Sequence, residues 1–126
     1  MTEEIKDLLP KDKLDVDRAK AIVKRGYPAV APILKELMEW VQDGNWPVFH
    51  VLAPFLSSIG APLVPEVKRV LVSDDYEWKM SVLMGIVSRS DEIARAVKDE
   101  LVVLANAKTP WGLDETAQEI LEKIAG

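Results

Sequence analysis

A single histidine, His50, and the absence of cysteine narrow the chemistry open to this chain. Cys–His nucleophilic catalysis and zinc motifs built on paired histidines or thiolates are excluded. His50 could act as a base towards Ser57, two turns along the same expected helix. Two turns are about 10 Å of axial rise, too far for a hydrogen bond, so no Ser–His enzyme is expected. His50 reads instead as a partly buried interface or groove residue. Asp12, Asp15 and Asp17 carry carboxylates close together, yet the glycine and distal bidentate Glu of a calcium hand are missing. Asp15 is better explained as a helix N-cap, and Asp74 with Glu77 three residues on as a capping box. No catalytic residue, metal or cofactor is expected.

Charge argues against a phosphate-rich partner. The chain carries 16 Lys and Arg against 21 Asp and Glu, a net charge of −5, whereas nucleic-acid affinity rests on counterion release by basic side chains. Lys11, Lys13, Arg18, Lys20, Lys24 and Arg25 form a local basic excess, but Asp12, Asp15 and Asp17 interleave with them. A solvated helix face is the simpler account. The 126 residues, 48% hydrophobic and 29% charged, suit one domain over residues 1–126. No run approaches the ~20 apolar residues of a membrane helix. The opening Met1-Thr2-Glu3-Glu4 is acidic with no apolar signal core behind it, so a cytoplasmic location is expected.

The elements that must position any site are helical. Val30, Ile33, Leu34, Leu37, Met38 and Val41 follow the i, i+3, i+4, i+7 rule, as do Leu113, Ala117, Ile120, Leu121 and Ile124. Val16, Ala19, Ile22 and Val23 make a shorter stripe, and no segment alternates with period two. Glycine and proline punctuate these runs: Gly26 and Gly60 can end a helix, and Pro28 and Pro62 fit the first turn of the next. The pattern predicts helices near 3–9, 15–25, 28–42, 46–59, 62–73, 76–88, 91–107 and 112–125. Pro54 falls inside the fourth and should bend it. Residues 46–59 and 76–88 are apolar on most faces and belong in the middle of a stack.

The chain also writes one passage twice. Gly26-Tyr27-Pro28-Ala29-Val30-Ala31-Pro32-Ile33-Leu34 returns as Gly60-Ala61-Pro62-Leu63-Val64-Pro65-Glu66-Val67, at a spacing of about 34 residues. An acidic loop, a Trp and an apolar run follow each copy: Asp43 to Trp46, then Asp74-Asp75 to Trp78. This pattern resembles HEAT repeats, particularly the short kind of phycobilisome-lyase-like proteins. Val30-Ala31-Pro32-Ile33-Leu34 and Val64-Pro65-Glu66-Val67 resemble helix A of that repeat, Asp43 and Asp74 its loop, and Trp78-Lys79 with Leu83 the start of helix B. Val48 stands where the repeat usually has Arg and Lys79 replaces it in the second copy, so its Asp–Arg ladder is missing or degraded. The resemblance spans about residues 15–126 and is close to a small bacterial family of HEAT-like single domains. It implies an all-α, right-handed αα superhelix with a leading half-repeat and three helix pairs, and no particular activity.

Such a stack sets its loops on one edge. Trp46, His50, Trp78 and Lys79, flanked by Asp43 and Asp74, are therefore the expected binding residues. Trp46, His50 and Ser57 share one helix face, and Glu77, Ser81 and Ser88 form the matching line. The alternative for Trp46 and Trp78 is gap-filling between repeats. Two functions compete. One is a non-catalytic protein-interaction module, of immunity or inhibitor type if its partner is basic. The other, implied only by the resemblance, is a HEAT-like nucleic-acid binder or DNA-glycosylase-like enzyme.

Overall fold

Asp15 opens the first α-helix of the computed structural model, which describes residues 4–126. Its carboxylate accepts the Arg18 backbone N–H at 3.4 Å and the Lys11 N–H at 3.0 Å, satisfying donors that have no partner within the helix. Helix α1 then runs Val16–Arg25 and ends at Gly26, whose φ of 72° a side chain would resist. Next come α2 (Leu34–Glu39), α3 (Pro47–Ile59), α4 (Val64–Leu71), α5 (Tyr76–Gly85), α6 (Asp91–Ala96), α7 (Lys98–Ala105) and α8 (Leu113–Ala125). Short 3₁₀ turns precede α2, α4 and α8 and follow α5. Among the described residues there is no strand.

The helices pack in a regular order. Helix α1 lies on α3, α3 on α5, and α5 on α8, while α2 packs on α4 and α4 on α5. Helices α6 and α7 are both covered by α8. Ile22, Leu37, Met38, Leu52, Leu56, Leu63, Leu83, Ile86, Ile93, Leu101 and Leu113 are fully buried between these layers, with Val87 beside them. Phe55 is only half-buried, as are Val51 and Ile59 one turn to either side. The adjacent line of α3, His50, Pro54 and Ser58, faces outward. The helix is thus less enclosed than its composition implies. Pro54 sits inside α3 on that exposed line, where the missing N–H is least costly, and the helix continues to Ile59.

Several expected boundaries shift. The run 91–107 is two helices broken at Val97, whose φ/ψ of −106°/22° interrupts the spiral while its side chain stays buried. The run 28–42 begins as a turn with a cis Tyr27–Pro28 bond, and its helical part starts only at Ala31. Asp75, not Asp74, caps α5, accepting the Trp78 N–H at 3.0 Å. Ser90 caps α6 in the same way, accepting from Ile93 at 3.1 Å. No single helix is long and apolar enough to cross a membrane; α3 and the Ala61–Leu71 segment would have to be taken together, and they meet at 112°.

Candidate functional site

Helices α3 and α5 lie side by side, and the helix spiral decides which of their residues face the seam. From α3 come Phe49 and His50; from α5 come Glu77, Met80, Ser81, Met84 and Gly85. The loop Asp43-Gly44-Asn45 closes one end, and Arg89 and Trp111 stand over the rest. Together they line a groove of 560 Å³, within the range of ligand and peptide pockets. Its floor is close-packed: a Cβ on Gly85 would fall 3.0 Å from Phe49 Cε2 and closer still to Cζ, so only glycine lets α5 approach the Phe49 ring. Phe49 in turn meets the His50 ring edge-on at 5.3 Å.

Hydrogen bonds hold α5 in place. Trp78 Nε1 donates to the Met38 carbonyl at 3.0 Å and Ser81 Oγ to the Gln42 carbonyl at 3.2 Å. Both acceptors lie at or just past the C-terminal end of α2, and the Met38 carbonyl accepts the Val41 N–H at 3.2 Å as well. The Asp43 carboxylate accepts the Asn45 N–H at 2.8 Å and fixes the closing loop.

The expected binding residues divide among four places. Asp43 and His50 line the groove, as do Glu77 and Ser81 of the matching line. Ser57 and Ser88 do not; their hydroxyls donate to the Pro54 and Met84 carbonyls at 2.8 and 2.6 Å. Trp46 is part-buried against Trp40, with ring centroids 6.1 Å apart. Trp78 is part-buried beneath the Arg69 guanidinium, 5.6 Å from its ring centroid. Lys79 is 8% exposed and lies over the Tyr76 ring at 4.9 Å, lining a separate cavity. Asp74 is exposed on the loop before α5. The two ion pairs of the described residues, Arg18–Asp15 and Arg69–Glu66, are local, and no Asp–Arg ladder links successive helices.

Electrostatics single out the groove's acidic end. Glu77 is held above the ordinary carboxyl range, first by a side-chain hydrogen bond with Asp43 and by the Asp43 charge. Partial desolvation and the Asp75 charge add to this. Two carboxyl groups brought this close form a place where a cation is favoured. The described residues bring together no group of three His, Asp or Glu able to hold a metal ion.

Trp111, Met84 and Arg89 are functional candidates that the sequence pattern does not point to. Trp111 is 68% exposed at φ 63°, a left-handed conformation that costs a bulky residue about 1–2 kcal/mol. Its signal is a negative one: a tryptophan between Pro110 and Gly112, outside every apolar stripe. Met84, 61% exposed, hides among the core residues of α5 because the period places it only one residue from Leu83. None of the curated proteins matches the chain. A domain of unknown function, DUF5071, matches residues 8–125, from before α1 to the last turn of α8, and the chain belongs to that family.

Proposed function

We propose that this chain is a non-catalytic protein-interaction module whose α3–α5 groove captures a partner segment pairing a cationic side chain with apolar neighbours. One observation carries the reading: an exposed Trp111 in a strained backbone faces the same groove as the Asp43–Glu77 carboxyl pair. Tryptophan supplies wide contact area at little entropic cost, which is why it dominates binding hot spots. Met80 and Met84 adapt to varied apolar side chains beside it. A cation between Asp43 and Glu77 relieves their repulsion, and the net charge of −5 steers basic partners towards it. A basic toxin or enzyme held in this way would make the chain an immunity- or inhibitor-type protein.

The repeat architecture belongs to the same proposal. The succession α1, α3, α5, α8, with α2 and α4 packed together, supports a HEAT-like stack with the groove along one layer, for which we propose the right-handed sense.

Titration of the 15N-labelled chain with short peptides tests the site. A Leu-Arg-Phe-type peptide should shift His50, Glu77, Met84 and Trp111 saturably, and its Glu-for-Arg counterpart should not. Trp111→Gly and the double change Asp43→Asn with Glu77→Gln should abolish those shifts while moving Tm by less than about 2 °C. Preference for the acidic peptide, or saturable binding of duplex DNA at physiological salt, overturns the reading.

A further inference from the structure

We infer that the cavity between α5, the end of α4, and α7 with the segment after it binds a free amino acid with an apolar side chain. It measures 420 Å³ and lies apart from the groove, sharing none of its lining residues. Lys79 enters it from α5, 8% exposed and without an ion pair among the described residues. Its ammonium lies over the Tyr76 ring face at 4.9 Å. Glu100 enters from the first turn of α7, and its Oε1 is enclosed with no hydrogen-bond partner.

An enclosed carboxylate oxygen with no partner, beside a largely buried lysine with no ion pair among the described residues, is an unfavourable feature of a folded chain. Here both line one cavity and do not meet each other, so the space between them separates a donor from an acceptor. Asp99, Lys108 and Thr109 also reach the rim, and the rest of the wall is apolar: Val72 and Val103 are 71% and 69% exposed beside Leu71, Leu104 and Ala107. A ligand that fills this arrangement needs a carboxylate for Lys79, a nitrogen donor for Glu100 and an aliphatic or aromatic group for the valines and Tyr76. An apolar α-amino acid has all three on one carbon framework. A simple carboxylate or a phosphate can pair with Lys79 or Lys108 but brings no donor to Glu100, and a simple amine leaves Lys79 unpaired.

The experiment is a heteronuclear titration of the full chain with L-leucine, L-methionine and L-phenylalanine. At least one should give saturable shifts at Tyr76, Lys79 and Val103 with Kd below about 1 mM. On the unaltered protein, 4-methylpentanoate and isopentylamine, which lack the ammonium or the carboxylate of leucine, should bind at least about tenfold more weakly. Lys79→Met and Glu100→Gln should each weaken the amino acid by a similar factor. N-acetyl-leucine binding as tightly as leucine would assign the site to a peptide C-terminus and overturn the free amino acid. Absence of saturable shifts from all three amino acids at about 10 mM would make the cavity a water-filled recess and sink the inference. So would equal binding by 4-methylpentanoate, which the unaltered protein can report whether or not the variants fold. Loss of peptide binding at the α3–α5 groove has no bearing on these outcomes.

Discussion

Gly85 and Phe49 show how single residues set the groove's floor. A methyl group added at Gly85 would overlap the Phe49 ring edge and press on the Ala53 methyl at 3.2 Å, so Gly85→Ala must displace the ring or part α5 from α3. We expect a loss of about 1–3 kcal/mol in urea denaturation, typical of overpacking, and a shifted His50 resonance because the His50 ring rests on Phe49. Trp111→Gly should behave oppositely: release from φ 63° offsets the lost contacts, so Tm holds or rises while groove binding disappears. Glu77 supplies a pH test. Its carboxyl binds a proton more tightly folded than unfolded, so its contribution to stability is full below the ordinary Glu value and fades as pH rises through the raised one. Carbon-detected titration should place Glu77 above its ordinary range, and Asp43→Asn should return it towards that range. A Glu77 that titrates normally would mean that the two carboxyl groups do not interact. Because Glu77 is exposed, added salt should shrink the effect. Capture of a cationic peptide should strengthen over the same rise in pH, as Glu77 ionises.

Among elements, α3 and α5 carry the burial and α8 the cover. Leu52→Ala and Leu83→Ala remove side chains with no exposed surface and should each cost about 2–5 kcal/mol. Leu121→Ala, half-buried on α8, should cost less than either. Urea midpoints at constant slope would check the order, and a Leu121 effect as large as Leu83's would upset it. The helices themselves are legible in the sequence because their stripes and glycine stops agree: Ile22, Leu37, Leu83 and Leu113 are buried where the period puts them. The break at Val97 is not legible. Ile93, Val97, Leu101 and Leu104 keep helical spacing straight through it, so the apolar pattern continues although the backbone turns. The cap before α5 is ambiguous for a related reason. Asp74 and Asp75 are equivalent in type, and only the turn geometry decides which one reaches the Trp78 N–H. The site is half legible. His50 and Asp43 lie on helix and loop positions that spacing can place, whereas Lys79's separation from them depends on a rotation of α5 fixed by the Trp78–Met38 and Ser81–Gln42 bonds.

At the scale of the whole molecule, each helix covers its predecessors, so the order of packing predicts how the chain fails. Helix α8 lies on α5, α6 and α7, and Lys123 Nζ donates to the Ser88 carbonyl at 2.8 Å from its last turns. Its buried residues Leu113, Ala117 and Ile120 belong to the same core as Ile93, Leu101 and Leu104 of the helices it covers. Deleting residues 109–126 would therefore expose a continuous apolar face on α5–α7, and in a stack stabilised by neighbour contacts such a loss propagates inward. Removal of Trp111 with the same segment would also open the groove above Met84. We expect the truncated chain to aggregate on size-exclusion chromatography or to lose its sharp thermal transition by circular dichroism. Restoring residues 109–126 as a separate peptide should recover part of the helical signal if the face is intact and merely uncovered. A soluble truncation with an unchanged cooperative melt would instead make α8 an appendage, and the core would then have to be complete within α1–α7.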